Sequence, residues 1–133
     1  MAKTLAVIFG VILVLLGLLG FVSNPLVGAG AVFLADTMHN VIRVVLGAIL
    51  LAVAVWSPDS SARWLKVIGA VVFLLGLIGL FTVPSAGGML LGIAETNGAS
   101  NWLHLVAGLV IFIAGMYSNG GEMSMSSPGT PQM

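Results

Sequence analysis

A chain of 133 residues, 59% hydrophobic and 6% charged, with a mean hydropathy of +1.20, has too little polar surface to coat a water-soluble globule, because an ordinary soluble domain carries about 25% charged residues. The bilayer is the solvent this composition fits, and four cations balanced by four acids leave no basic footprint for nucleic acid. The absence of cysteine removes disulfides, thiolate nucleophiles and Cys-ligated metal sites.

Four apolar segments follow in chain order, Thr4–Val22, Met38–Trp56, Leu65–Val83 and Asn101–Tyr117. A spanning helix needs about 20 residues, with about 17 as the short end, so all four are read as membrane helices. Lipid offers no partner for backbone polar groups, which favours helices over strands. The first segment follows Lys3 and precedes Ala29-Gly30-Ala31, an arrangement reminiscent of a signal peptide. Its apolar run exceeds the usual ~7–15 residues, so it is read as a retained helix. Lys3, Arg63 and Lys66 fall on one side of the membrane and Arg43 on the other. The bias places both termini in the cytoplasm and the connections 23–37 and 84–100 outside. These connections are rich in Gly, Ala and Leu and are expected to fold back against the helix ends. Residues 118–133, rich in Ser, Gly, Pro and Met, read as a disordered tail.

The chain also repeats itself. Gly10 to Pro25, GVILVLLGLLGFVSNP, matches Gly69 to Pro84, GAVVFLLGLIGLFTVP. Leu34-Ala35-Asp36-Thr37 then matches Ile93-Ala94-Glu95-Thr96, which makes Asp36 equivalent to Glu95. A two-residue insertion follows, and Asn40-x-x-Arg43-x-x-x-Gly47 matches Asn101-x-x-His104-x-x-x-Gly108. Such self-similarity decides architecture first. The expectation is an all-α, integral membrane four-helix bundle in one domain, 1–117, built from two tandem parallel two-helix repeats, 4–56 and 65–117. Parallel copies argue against alternating access, which uses inverted repeats in many transporters.

Each segment carries two small residues seven apart: Gly10 and Gly17, Gly47 and Ala54, Gly69 and Gly76, Gly108 and Gly115. Seven residues is close to two turns, so each pair shares a face. Small residues let helix backbones approach closely, and dispersion then drives association in lipid. These eight are therefore read as packing positions.

Few polar residues remain for chemistry: Asp36, His39, Asn40, Arg43, Glu95, Asn97, Asn101 and His104, all near the outer face. Their structural reading is as N-caps (Asp36, Thr37, Asn40, Asn97, Asn101), with Arg43 snorkelling or paired with Asp36 or Glu95. Their functional reading is a shared polar site between the second and fourth helices. That site would take an anion or headgroup through Arg43, or respond to pH through the histidines. A third reading is a bis-histidine haem on His39 and His104, two histidines on different helices at similar depth. No nucleophile elbow, zinc-protease motif or phosphate-binding loop is present, so catalysis is not expected. No span carries a continuous polar stripe that would line a pore.

The segment GLLGFVSNP followed by DTMHNVIRVVLGAILL resembles the domain of unknown function 4383, a family of small bacterial four-helix membrane proteins. The resemblance covers Val7 to Tyr117. His39-Asn40 match the family's His-Asn-x-x-His signature, but Arg43 stands where a second histidine is usual, and Asn101-x-x-His104 keeps the other half. The resemblance implies a bacterial membrane location and no established activity. A guanidinium cannot ligate iron, so Arg43 weakens the haem reading.

The function expected from these residues is that of a structural or accessory membrane subunit without catalytic activity or cofactor. The alternatives are an outer-face binding module for an anionic lipid or small ligand, and an electron-transfer haem protein. Membrane lipid, a second copy of the chain or a larger membrane complex are the expected partners, and the bacterial inner membrane the expected location.

Overall fold

A computed structural model describes residues 1–126, with side chains through residue 118. The tail expected over 118–133 falls, Ser118 apart, beyond those side chains, and 127–133 lie outside the described residues. Four helices carry the fold: α1 (Ala2–Leu19), α2 (Thr37–Trp56), α3 (Ser61–Thr82) and α4 (Gly98–Ser126). Each contains a stretch long and apolar enough to cross a membrane, that of α4 being Gly98–Ser118. Large apolar side chains remain exposed along all four, including Leu15, Val45, Leu74 and Val106. That surface suits lipid rather than water. The molecule is a multi-pass membrane protein.

The helices stop where the sequence removes their hydrogen bonds or offers better ones. α1 ends at Leu19, earlier than its apolar run, because Asn24 gathers the turn that follows. Its Nδ2 donates to the carbonyls of Leu19 (2.7 Å) and Val27 (2.9 Å), and its Oδ1 accepts from Leu26 and Val27 N–H, both at 2.9 Å. Between α2 and α3, Pro58 opens a single 3₁₀ turn, Pro58–Ser60, where its missing N–H costs nothing.

The two connections are more ordered than a fold-back loop. The first holds β1 (Val27–Gly28) and β2 (Phe33–Leu34), paired in parallel. The second holds β3 (Gly88–Leu90) and β4 (Ala94–Thr96), paired antiparallel with Met89 opposite Glu95. The β3–β4 turn needs left-handed backbone at Leu91 (φ 53°) and Gly92 (φ 70°), a conformation that is routine for glycine and uncommon for leucine.

Packing is intimate within two helix pairs, α1 with α2 and α3 with α4, and sparser between them. The small residues explain why. A Cβ on Gly47 would lie 2.6 Å from the Gly10 carbonyl oxygen, and one on Gly108 would lie 2.7 Å from that of Gly69. No side chain fits there, so the backbones themselves touch. Gly17 faces Val44 and the Asn40 carbonyl, Gly76 faces the Asn101 carbonyl and Leu105, and Gly115 faces Ala62 and Leu65. Ala54 is fully buried. All eight expected positions therefore sit inside the bundle. Between the pairs runs a core of Ala2, Ala6, Leu13, Leu50, Leu65, Ile68, Val72 and Ile111.

Candidate functional site

The starts of α2 and α4 meet at the end of the bundle that carries the short strands. Each start is fixed by an N-cap: Asp36 Oδ1 accepts from His39 N–H and Asn97 Oδ1 accepts from Ser100 N–H, both at 2.9 Å. Each connection then crosses onto the opposite pair. His39 Nδ1 lies 2.8 Å from the Glu95 carbonyl oxygen in β4. Ser100 donates through Oγ to the Leu34 carbonyl in β2 at 2.9 Å, and Asn97 Nδ2 donates to the Val32 carbonyl at 3.1 Å. Ser100 stands 61 residues after His39, and Glu95 stands 61 after Leu34. One crossing bond thus occurs twice, made once by a histidine and once by a serine.

These geometries revise the sequence correspondence. The cap that matches Asp36 is Asn97, not Glu95, and the position that matches Glu95 is Leu34. The two extra residues of the second copy therefore enter before Leu34 and Glu95, after Gly28 (φ 130°) and Gly87 (φ 133°), which keep the earlier offset. The similarity of Leu-Ala-Asp-Thr to Ile-Ala-Glu-Thr conceals this, because it places the insertion after Thr37 rather than before Leu34. Glu95 brings its backbone carbonyl to the site rather than its carboxylate.

The crossing bond also fixes proton positions. A carbonyl only accepts, so His39 carries a proton on Nδ1, and in the neutral ring Nε2 presents a lone pair. With both rings neutral, His104 Nε2, 3.2 Å from that lone pair, is the donor, which leaves His104 Nδ1 as a lone pair. That atom is buried and has no partner. The two rings have centroids 4.8 Å apart and tilt by 33°. With the imidazoles in contact, no planar macrocycle fits between them in this arrangement, so His39 and His104 as they stand do not suit a haem. No group of three metal-binding side chains exists among the described residues.

Arg43 sits one turn further along α2 and is only 2% exposed. Neither Nη1 nor Nη2 has a hydrogen-bond partner. The snorkelling expected from its position is not observed, and its terminal nitrogens pair with neither Asp36 nor Glu95. The reason is local: the Asp36 carboxylate is held on the helix start, and Arg43 points between helices rather than toward the headgroups. Two cavities meet at this side chain. One, of about 60 Å³, is lined by His39, Arg43, Leu46, Leu90, Ala94 and His104. The other, of about 180 Å³, is lined by Phe9, Ile12, Arg43, His104, Ala107 and Val110. Arg43 and His104, with Leu13 and Val72, line both.

Asn40 and Asn101 do not cap. Each amide fills the space that a side chain would need at Gly20 or Gly79 of the paired helix. Asn101 Oδ1 accepts from Thr96 Oγ1 at 3.1 Å, while Asn101 Nδ2 and Asn40 Oδ1 have no partner. The Gly20–Asn40 and Gly79–Asn101 clasps were signalled by glycines at matching places in the two sequence copies.

Fold and site together define a small membrane-embedded four-helix protein with a buried polar cluster between its two helix pairs. The chain belongs to the family described as Domain of unknown function (DUF4383), whose model matches residues 3–117. No curated protein matches it, and no solved structure does.

Proposed function

We propose that this protein is a non-catalytic accessory membrane protein of the bacterial inner membrane that holds an anion in the cluster between its helix pairs. The observation that carries this reading is the buried Arg43 guanidinium, with two terminal nitrogens unpartnered beside a cavity. A buried cation without a partner is costly, and intramembrane ionisable residues are functional by default. Arginine stays protonated in proteins, so it cannot escape that cost by losing its proton. An anion would satisfy both free nitrogens with charge-assisted hydrogen bonds. His39 and His104 line the same cavity as Arg43, with their Nε2 atoms 3.2 Å apart.

With Lys3, Arg63 and Lys66 at the opposite end, the positive-inside bias places both termini in the cytoplasm and this cluster near the outer face. The parallel relation of the two repeats brings the starts of α2 and α4 to one side, where a shared site forms. The partner is therefore a component of the membrane or its outer boundary, and no cofactor is invoked.

Thermal unfolding of the full chain in detergent tests the reading, with acetate, chloride and inorganic phosphate as probes. A ligand that binds only the folded state raises the midpoint with concentration. The expected result is a rise for at least one probe in the wild type that is absent in Arg43→Gln. Equal responses of the two proteins to every probe would refute the anion site.

A further inference from the structure

Resting on that reading, we infer that the anion is the carboxylate of a single-chain amphiphile of the fatty-acid type, its head on Arg43 and its chain in the groove between α1 and α4. Four observations converge on this ligand class. First, Nη1 and Nη2 are both free, and the planar guanidinium fork matches a carboxylate in a bidentate pair. Second, the charge balances. Neither Arg43 terminal nitrogen has an acidic partner, so a singly charged head neutralises the guanidinium. A phosphate monoester brings about −1.5 to −2.

Third, the cavity beside the head is about 60 Å³. That volume suits a compact head such as a carboxylate. Fourth, the adjoining cavity of about 180 Å³ has an almost wholly apolar wall of Phe9, Ile12, Leu13, Ala107, Val110 and Ile111. Ile12 and Val110 are also about half exposed on the outside of the bundle. The groove therefore opens sideways to the bilayer, where a single acyl chain already resides. Arg43 stands where the two cavities meet, so one ligand engages the charge and the groove at once. The groove lies between the helix pairs, where packing is sparser than within them.

Equilibrium binding of tritiated palmitate to the full chain in dodecyl maltoside micelles tests the assignment. Unlabelled palmitate, methyl palmitate, acetate and phosphatidylglycerol serve as competitors. The expected result is saturable binding of about one palmitate per chain, displaced by palmitate and not by equal concentrations of the other three. Arg43→Gln should weaken binding about tenfold or more, the scale of a lost charged hydrogen bond. Ala107→Phe, which fills the groove and leaves Arg43 in place, should do the same, with Ala107→Val as the milder intrusion should the phenylalanine variant not fold.

The failures are distinguishable. Displacement by acetate as effective as by palmitate, or stronger displacement by phosphatidylglycerol, would overturn the single-chain carboxylate and leave the anion site intact. Wild-type affinity for palmitate in Arg43→Gln would overturn both.

Discussion

The two helix pairs share a scaffold and differ in their chemistry. Both bring glycine backbones into contact, at Gly10 with Gly47 and at Gly69 with Gly108. Both clasp an asparagine amide against a glycine, start the second helix with a side-chain cap, and send one crossing bond to the other pair's strand. What differs is the residue at each end of the shared geometry. His39 makes the crossing bond in the first pair and Ser100 in the second. Arg43 occupies the position that His104 occupies 61 residues later. Features common to both halves hold the bundle together, and the position where they diverge, Arg43 against His104, holds the unpartnered polar atoms of the two side chains that line both cavities.

Substitutions at equivalent positions separate these two kinds of feature. The largest effect is expected where the halves are alike. Gly47→Leu and Gly108→Leu force a side chain against a carbonyl of the facing helix. Each should cost at least the upper part of the about 1–3 kcal/mol typical of overpacking. Thermal melts in detergent should show similar losses for both, and tolerance of one alone would mean that the scaffold is not shared.

The next effect should have opposite signs in the two halves. Arg43→Met removes a buried cation whose terminal nitrogens lack partners and should stabilise the ligand-free protein by about 1–4 kcal/mol, as hydrophobic replacement of buried charge often does. His104→Leu strips His39 Nε2 of its donor and should destabilise by about 1–3 kcal/mol. Destabilisation by both in denaturant titrations would make Arg43 a structural residue.

Smaller again is His39→Ser, which writes the second pair's residue into the first. It removes the imidazole contact at a cost of about 1 kcal/mol, and retains a hydroxyl able to reach the Glu95 carbonyl as Ser100 reaches that of Leu34. His39→Ala should cost more, because it leaves that carbonyl without a donor. The smallest effect belongs to the caps: Asp36→Ala and Asn97→Ala should each lose about 1 kcal/mol. Their near-equality checks the revised correspondence of the two copies.

Much of this was legible in the residues. Composition and four apolar runs required membrane helices, and the seven-residue spacing of Gly10 with Gly17 and Gly69 with Gly76 marked their contact faces. The cluster of His39, Arg43 and His104 was visible as the polar remainder near one end. The short strands were not legible, because β1 and β2 have two residues each and pair through backbone groups that any sequence supplies. Nor was the role of Glu95, whose carbonyl rather than carboxylate reaches His39. The pairing of His39 with His104 joins residues 65 apart through a loop crossing that no local pattern encodes. The isolation of Arg43 depends on where Asp36 and Glu95 direct their side chains, which spacing along the chain leaves open.

The most direct test compares thermal midpoints of delipidated wild type and Arg43→Met, each with and without palmitate. An Arg43 kept unpaired for a ligand predicts a crossing: the variant is more stable without palmitate, and only the wild type gains when it is added. A variant that melts below the wild type in the absence of ligand, with palmitate shifting both alike, would contradict that claim.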